Sequence, residues 1–411
     1  MAPQTKEEKL ALINENLEEV LDPQIIEEVL DSGRNVKIYW GTATTGRPHC
    51  GYFVPATKIA QFLAAGCEVT ILLADIHAFL DNLKAPLELV NQRAKYYEFI
   101  ITSMLKAVGV RTEQLQFIYG SSYQKNADYV MDVYRLSSVV SEHDAKRAGA
   151  ETVKQSNNAP LSGLLYPILQ ILDEEYLKVD VQFGGRDQRK LFVAAKDWLP
   201  KLGYKERAHL INPMVPGLHG GKMSSSDEGK RQNISFPFEV KIDLLDPPEV
   251  ITKKIRKAEA APRVTEGNGL LAFVEYVLLP TSALLGQKEF RVDRHEQEPL
   301  IYTDAKKLYE DYANEVLTPQ MLKPALSKAL IELTAPIRAA FEASAEWQEV
   351  TTKAYPPPEE KKKKVKKVKN KGTHYPVRPK DAQGQDGVPA EEQQEQQPAQ
   401  SQEAGPEEKA A

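Results

Sequence analysis

A strand that runs into a glycine- and threonine-rich loop and then a helix restricts a chain more than any composition does, and Val36 to Ala60 read that way. Ile38 and Trp40 alternate along the strand part, and Gly41, the run Thr42 to Thr45, Gly46 and Pro48 make an irregular loop. From Gly51 the apolar period becomes helical, with Phe53, Ile59, Phe62 and Leu63 near one stripe and Gly66 as a stop signal. In a parallel sheet such a unit is an anion site, because free backbone N–H groups and the helix dipole point at the ligand. An ordinary strand-to-helix connection has the same pattern, so this stretch alone leaves both readings open.

A second stretch, Gly220-Gly221-Lys222-Met223-Ser224-Ser225-Ser226, offers a freed backbone, one fixed positive charge and three hydroxyl donors. That is the chemistry of an electrostatic clamp for phosphates, though serine-rich loops are common on solvated surfaces. Together the two stretches resemble the paired signatures of class I aminoacyl-tRNA synthetases. The His-x-Gly-His element corresponds to His49-Cys50-Gly51-Tyr52, and the Lys-Met-Ser-Lys-Ser element to Lys222 through Ser226. The resemblance is closest to the eukaryotic cytoplasmic tyrosyl-tRNA synthetases and runs from about Arg34 to Tyr355. Tyr52 and Ser225 depart from it, and neither supplies the positive charge of the general pattern.

The chain has 411 residues, 42% of them apolar, enough for a large core and two folded domains. Two cysteines, Cys50 and Cys67, give no disulfide framework, which suits a reducing compartment. The acidic, non-apolar N-terminus is neither a signal nor a transit peptide, and no apolar run is long enough to span a membrane. A cytoplasmic location is expected. The net charge of −5 hides strong local segregation.

The fold class expected is α/β: a Rossmann-like parallel sheet with an inserted helical segment, a mainly helical second domain implied by the resemblance to read the anticodon, and a disordered tail. The boundaries are a helical segment over 1–35, the catalytic domain over 36–228, an insertion over 229–240, the helical domain over 241–355 and the tail over 356–411. Thr5 to Leu30 read as helices broken at Asp22-Pro23. The apolar run Val69 to Ala74 suits a strand buried on both faces, with Asp75 and His77 beyond its end and facing the cleft. For His77 the sequence favours a structural hydrogen bond over a ligand role. Asn126 to Glu151 read as helices that, in the family, serve the dimer and the tRNA acceptor end. Lys146 and Arg147 there are candidate phosphate contacts, or equally a solvated helix face.

On the helix Ser162 to Asp180, Tyr166, Gln170 and Asp173 fall at i, i+4 and i+7, on one face of an otherwise apolar stretch. Polar groups so placed face a pocket or pair internally, because unpaired burial is costly. The resemblance implies the pocket: these three, with Tyr39 and Gln188, match the residues that hold tyrosine, Asp173 and Tyr39 taking its phenol hydroxyl. It also implies that Gly41, His49, Gly51, Gly185, Asp187, Lys222 and Met223 bind ATP, with Asp187 near the ribose. Thr45, His49, Lys222, Ser224, Ser225 and Ser226 would stabilise the transferring phosphates. Gly184-Gly185 before a helix start fits close approach of backbone to a ligand. Phe290 to Arg294 would give an aromatic and the Asp293 carboxylate to an anticodon base. About ten residues, Arg231 to Val240, exceed what the family has at this place, and their Phe-Pro-Phe content has no physical account.

The tail packs eight lysines into Lys361 to Lys371, then eight acids among Asp381 to Ala411 with few large apolar residues, so neither part can offset its ordering entropy. The lysine run suits RNA phosphates or a nuclear address, or is a solvating tail. The resemblance implies a homodimer that uses ATP and magnesium to activate tyrosine and passes it to tRNA(Tyr), away from membranes. No metal-ligand spacing appears, so the metal would ride on ATP oxygens. Tryptophanyl-tRNA synthetase, a small-molecule nucleotidylyltransferase and a non-catalytic RNA-binding relative are the rival readings.

Overall fold

The computed structural model describes residues 4–81, 87–110, 115–152, 160–217 and 241–356. The lysine-serine loop, the 229–240 insertion and all of the tail beyond 356 lie outside the described residues.

Six strands form one sheet: β1 (Glu19–Leu21), β2 (Lys37–Thr42), β3 (Glu68–Leu73), β4 (Gln116–Tyr119), β5 (Val181–Gly185) and β6 (Ala208–Asn212). They stand in the order β1-β6-β5-β2-β3-β4, and every pair is parallel except β1 with β6. From β2 the chain winds outward through β3 and β4, then returns to build β5 and β6 on the other side. The order therefore reverses between β2 and β5, and the crevice beyond their carboxyl ends is where a doubly wound sheet holds its ligand.

Strand periodicity assigns the two faces. Ile38 and Trp40 join the main core with Phe53, Ile59 and Phe62 of the helix Phe53–Ala64 and with Ile100, Ile101 and Met104 of the helix Leu87–Ala107. Tyr39, pointing the other way, packs with Leu72 and Ala74. The helices Ala127–Ser137, Ser162–Tyr176 and Arg189–Trp198 share a separate core that includes Tyr129, Leu169, Leu172, Leu191 and Trp198.

The N-terminal stretch differs from the all-helical expectation. A capped helix, Lys6–Asn14, gives way to β1, and the helix Pro23–Asp31 follows. Asn16 and Asp22 have φ of 58° and 55°, so left-handed backbone on both sides stops a helix from running through Val20 and Leu21. The first helix is fastened by Lys58, which is 3% exposed and donates to the carbonyls of Leu12 at 2.8 Å and Glu15 at 2.7 Å. The Lys58 amine satisfies carbonyls that the helix end leaves open, and burial lowers its pKa to about 7.

Over 241–356 the chain is mainly helical, with a hairpin, β7 (Phe290–Arg294) and β8 (Gln297–Tyr302), that the sequence reading lacked. On the helix Pro319–Ala343 the residues Leu322, Leu326, Leu330, Leu333 and Ile337 are buried at helical spacing and join the same core as the sheet. Trp347 of the helix Ala345–Ala354 stacks on Phe99 at 5.5 Å, which fixes this end of the chain against the helix Leu87–Ala107.

Candidate active site

The loop after β2 lies at the reversal point and is held from several sides. The carbonyl of Gly46 accepts from Tyr97 at 2.6 Å and from Tyr355 at 2.8 Å. Arg93 donates to the carbonyls of Thr45 and, at 3.2 Å, Ala354. Arg47 and Arg93 both lie over the Tyr355 ring, 4.9 and 5.1 Å from its centroid. His49 pairs with Asp243 as an isolated β-bridge, and the Cys50 N–H donates to Ile242 at 2.9 Å. The end of the helical region and the residues just after the 229–240 insertion thus both set the backbone of the first loop. Arg93, Tyr97 and Tyr355 have no pattern in sequence that would have pointed to this.

His49 is 5% exposed, and its Nδ1 accepts the Gly51 N–H at 3.1 Å. That bond puts the ring proton on Nε2. Burial, with Lys241 adding repulsion, pushes the imidazole down to about 4, so it is a neutral donor at physiological pH. Tyr52, in place of the second histidine, meets His49 edge-on at 5.4 Å and touches Trp40 and Tyr97 in the same way. It buttresses the first histidine rather than adding charge. Thr45 is buried beside Thr44, whose Oγ1 is buried with no hydrogen-bond partner among the described residues. Gly41 is exposed at the end of β2, and Gly51 opens the helical turn.

The polar stripe on Ser162–Tyr176 turns toward Tyr39. Tyr166 is 9% exposed, Asp173 is fully buried and Gln170 is half-buried. The Tyr39 hydroxyl donates to the Gln170 carbonyl at 3.3 Å, and the Gln170 amide donates to Gln188 at 2.9 Å. Gln188 in turn donates to Asp187 at 3.2 Å. All five residues assigned to tyrosine are therefore linked or adjacent. Gly184 has another reason for being glycine than close ligand approach. A Cβ there would stand 2.9 Å from Phe192 and 3.0 Å from Gln188, so the position lets the following helix pack down.

Asp173 shows what the sequence reading missed. Its Oδ1 accepts from Tyr123 at 2.7 Å, Gln124 at 2.8 Å and Tyr129 at 2.9 Å. Burial pushes the carboxyl up to about 7 against the pull of those three donors, and Glu174 adds repulsion. Tyr129 lies in the stretch Asn126 to Glu151 that the sequence had suggested for dimer and tRNA contacts, and Tyr123 and Gln124 lie just before it. The demand of a buried carboxylate for partners was the signal that could have found them.

The expected hydrogen bond of His77 is absent: neither ring nitrogen has a partner among the described residues, although the side chain is 2% exposed. Asp75 has the structural role instead, its Oδ1 accepting the N–H groups of Ile76 at 2.9 Å and Ser121 at 2.8 Å. That ties the end of β3 to the turn after β4.

Lys146, Arg147 and Asp293 are exposed. Lys146 and Arg147 pair with Glu142 and Asp144 on their own helix, the kind of surface pair that contributes little and is readily exchanged. Asp293 accepts from Arg291 at 2.7 Å and lines a surface cavity of about 460 Å³ with Arg291, Arg294, His295, Gln320 and Lys328. Phe290 is not the stacking aromatic expected there, because it is 5% exposed and belongs to the core. Lys222, Met223, Ser224, Ser225 and Ser226 lie outside the described residues. Among the described residues no group of three or more His, Cys, Asp or Glu is placed to hold a metal.

A parallel sheet reversing beside a histidine-bearing loop, with a half-buried polar pocket on the neighbouring helix, defines a class I aminoacyl-tRNA synthetase architecture. The family model "tRNA synthetases class I (W and Y)" matches residues 31–335, and the chain belongs to that family. It is 54% identical over 377 residues to the cytoplasmic tyrosine–tRNA ligase of Saccharomyces cerevisiae, covering 90% of this chain and 93% of the relative. With the cytoplasmic tyrosine–tRNA ligase of Danio rerio it shares 52% identity over 362 residues, 88% of this chain but 65% of the longer relative. The tyrosyl-tRNA synthetase of Archaeoglobus fulgidus, solved with L-tyrosine, superposes with a TM-score of 0.73 at 32% identity over 82% of this chain and 99% of that one.

Proposed function

We propose that the pocket between β2 and the helix Ser162–Tyr176 takes tyrosine, and that the loop after β2 takes the phosphates of ATP. The activity is tyrosine–tRNA ligation, in which tyrosine is activated by ATP and joined to tRNA. The tyrosine carboxylate attacks the α-phosphorus, pyrophosphate leaves, and the tyrosyl group then passes to the terminal ribose hydroxyl of the tRNA. Such chemistry needs positioning and charge stabilisation more than proton transfer. The observation that carries the reading is the buried Asp173 carboxylate, saturated on Oδ1 and with no hydrogen-bond partner for Oδ2 among the described residues, beside Tyr39 and Tyr166.

In this reading Tyr39, Tyr166, Gln170, Asp173 and Gln188 hold tyrosine. Gly41, Gly51 and Gly185 let ATP approach the backbone, Asp187 meets the ribose, and Thr45 with the Nε2–H of His49 faces the phosphates. Lys222, with Met223 and the hydroxyls of Ser224 to Ser226, closes on the pyrophosphate from the second loop. Magnesium would be held by ATP oxygens and would neutralise phosphate charge.

For tRNA(Tyr), Lys146 and Arg147 would meet backbone phosphates, and Asp293 in its basic cavity an anticodon base. A homodimer is supported by Met131, Tyr134, Val139, Leu161 and Val193, large apolar residues 41–76% exposed on or beside helices of one core. The relatives are named cytoplasmic, which supports a cytoplasmic activity, and no described helix is long and apolar enough to cross a membrane. A nuclear pool would depend on the lysine run, outside the described residues. Pyrophosphate exchange run with tyrosine, tryptophan and phenylalanine tests the activity. Exchange with tyrosine alone is expected, and exchange with none would leave a non-catalytic RNA-binding relative.

A further inference from the structure

We propose that Lys254 is a positioning residue for the activation step: it clips the turn over 241–246 into the shape that holds the backbone of His49, and so acts on the phosphates through that histidine without touching them. The proposal rests on the reading that the loop after β2 takes the phosphates of ATP, and it extends that reading to a cation of the helical region.

The helix Pro248–Lys257 carries Lys253, Lys254, Arg256 and Lys257 close together, a run that by composition belongs in solvent. Of these four, Lys254 lies on the buried stripe. Ile251, Ile255 and Ala258 are buried beside it at helical spacing, whereas Lys253, Arg256 and Lys257 are exposed. The Lys254 side chain is 12% exposed, and its Nζ donates to the Lys241 carbonyl and to Asp246 Oδ2, both at 2.7 Å. One ammonium thus joins the two ends of the turn. Within it, the Asp243 N–H donates to the same Oδ2 at 2.9 Å, and the Leu245 N–H donates to Asp243 Oδ1 at 2.9 Å. Asp246 is 15% exposed, so solvent screens this pair less than an exposed one, and loss of the cation strands a carboxylate and a carbonyl that water reaches poorly.

The first loop rests on the middle of this turn. Asp243 bridges His49, the Cys50 N–H donates to the Ile242 carbonyl at 2.9 Å, and Arg47 stands 4.0 Å from the Asp243 carboxylate. Beneath them the contact is apolar, with Cys50, Ile242, Ile255, Leu270 and Leu330 lining one narrow seam. Apolar burial is non-directional and sets no register, so the hydrogen bonds fix where the loop sits. Arg338 adds a bond to the Asp246 carbonyl at 3.3 Å, but it holds only one end of the turn. The His49 ring follows its backbone, because Nδ1 accepts the Gly51 N–H and leaves Nε2 to aim at the phosphates. A misplacement of about 1 Å at such a donor costs up to about 10²-fold in rate.

The test is a double-mutant cycle on the full chain, read by rapid-quench adenylate formation at saturating tyrosine over a range of ATP, with tyrosine affinity and thermal melting as controls. Lys254→Met is expected to lower the rate constant about tenfold or more, with the tyrosine Kd within about twofold of the unmodified protein. His49→Ala is expected to lower the rate constant about 10²-fold. Adding Lys254→Met to it should cost less than about threefold more, because the donor being positioned is gone. If Lys254→Met fails to melt cooperatively, Lys254→Gln, whose amide keeps one of the two bonds, takes its place in the cycle with the same pattern expected. A normal rate constant with a lowered melting temperature, a parallel loss of tyrosine affinity, or losses that multiply with those of His49→Ala would overturn the proposal. His49→Ala separates the failures: an unchanged rate there sinks the phosphate reading of the loop, and a lowered rate there beside a normal Lys254 variant sinks this inference alone.

Discussion

Replacing Asp173 by asparagine is the sharpest perturbation of the pocket, because it changes charge and hydrogen-bond polarity at nearly constant volume. The side-chain oxygen can stay under Tyr123, Gln124 and Tyr129, whose three hydrogen bonds of 2.7–2.9 Å need only an acceptor. The amide nitrogen then falls where Oδ2 was, and it can donate to the phenol but cannot accept its proton. A hydrogen bond to a charged group is worth about 1.5–3 kcal/mol, so tyrosine kcat/KM should fall about 10- to 150-fold with the ATP KM unmoved. Pyrophosphate exchange with tyrosine and phenylalanine measures this directly. The fold should respond oppositely. The folded carboxyl titrates at about 7, above its ordinary 3.8, so the folded state keeps a proton that the unfolded chain loses across this window. Its contribution therefore declines as pH rises from about 4 to 7 and is level above. The melting temperature of Asp173→Asn should gain on the unmodified protein over that range and keep its lead beyond it. An Asn variant with normal tyrosine preference would refute the pocket, and one whose lead does not grow with pH would refute the buried, poorly solvated carboxylate.

Three further outcomes are expected. Lys222→Ala should lower the activation rate by about 10²–10³, the range for one preorganised donor, with tyrosine affinity nearly unchanged; rapid-quench single turnover at saturating ATP reads both. Truncation after Tyr355 should leave adenylate formation intact and raise the tRNA KM, the difference shrinking as salt rises and screens the phosphates; steady-state aminoacylation at several ionic strengths is the check. If the exposed apolar residues form the proposed homodimer face, Tyr134→Glu, placing a charge on a side chain 63% exposed, should leave a monomer where the unmodified protein sediments as a dimer, without loss of helix content.

Sequence by itself determined β2, β3 and the loop and helix that follow β2. The alternation of Ile38 and Trp40, the apolar run from Val69 and the stop at Gly66 are local signals, and each reappears as β2, β3 and a helix end. The i, i+4, i+7 stripe of Tyr166, Gln170 and Asp173 is local in the same sense, because helical geometry alone puts the three on one face. Tertiary structure decided what that face meets. Tyr123, Gln124 and Tyr129 lie 44 to 50 residues before Asp173, and nothing in their own spacing says that they converge on one oxygen. Tyr355 reaches Gly46 across 309 residues, and β1 joins the sheet because β6 offers an open edge, against a local pattern that reads as helix. His77 lost its expected bond for the same reason. Whether a buried imidazole is satisfied depends on which atoms the fold brings within 3 Å, and periodicity carries no information about that distance.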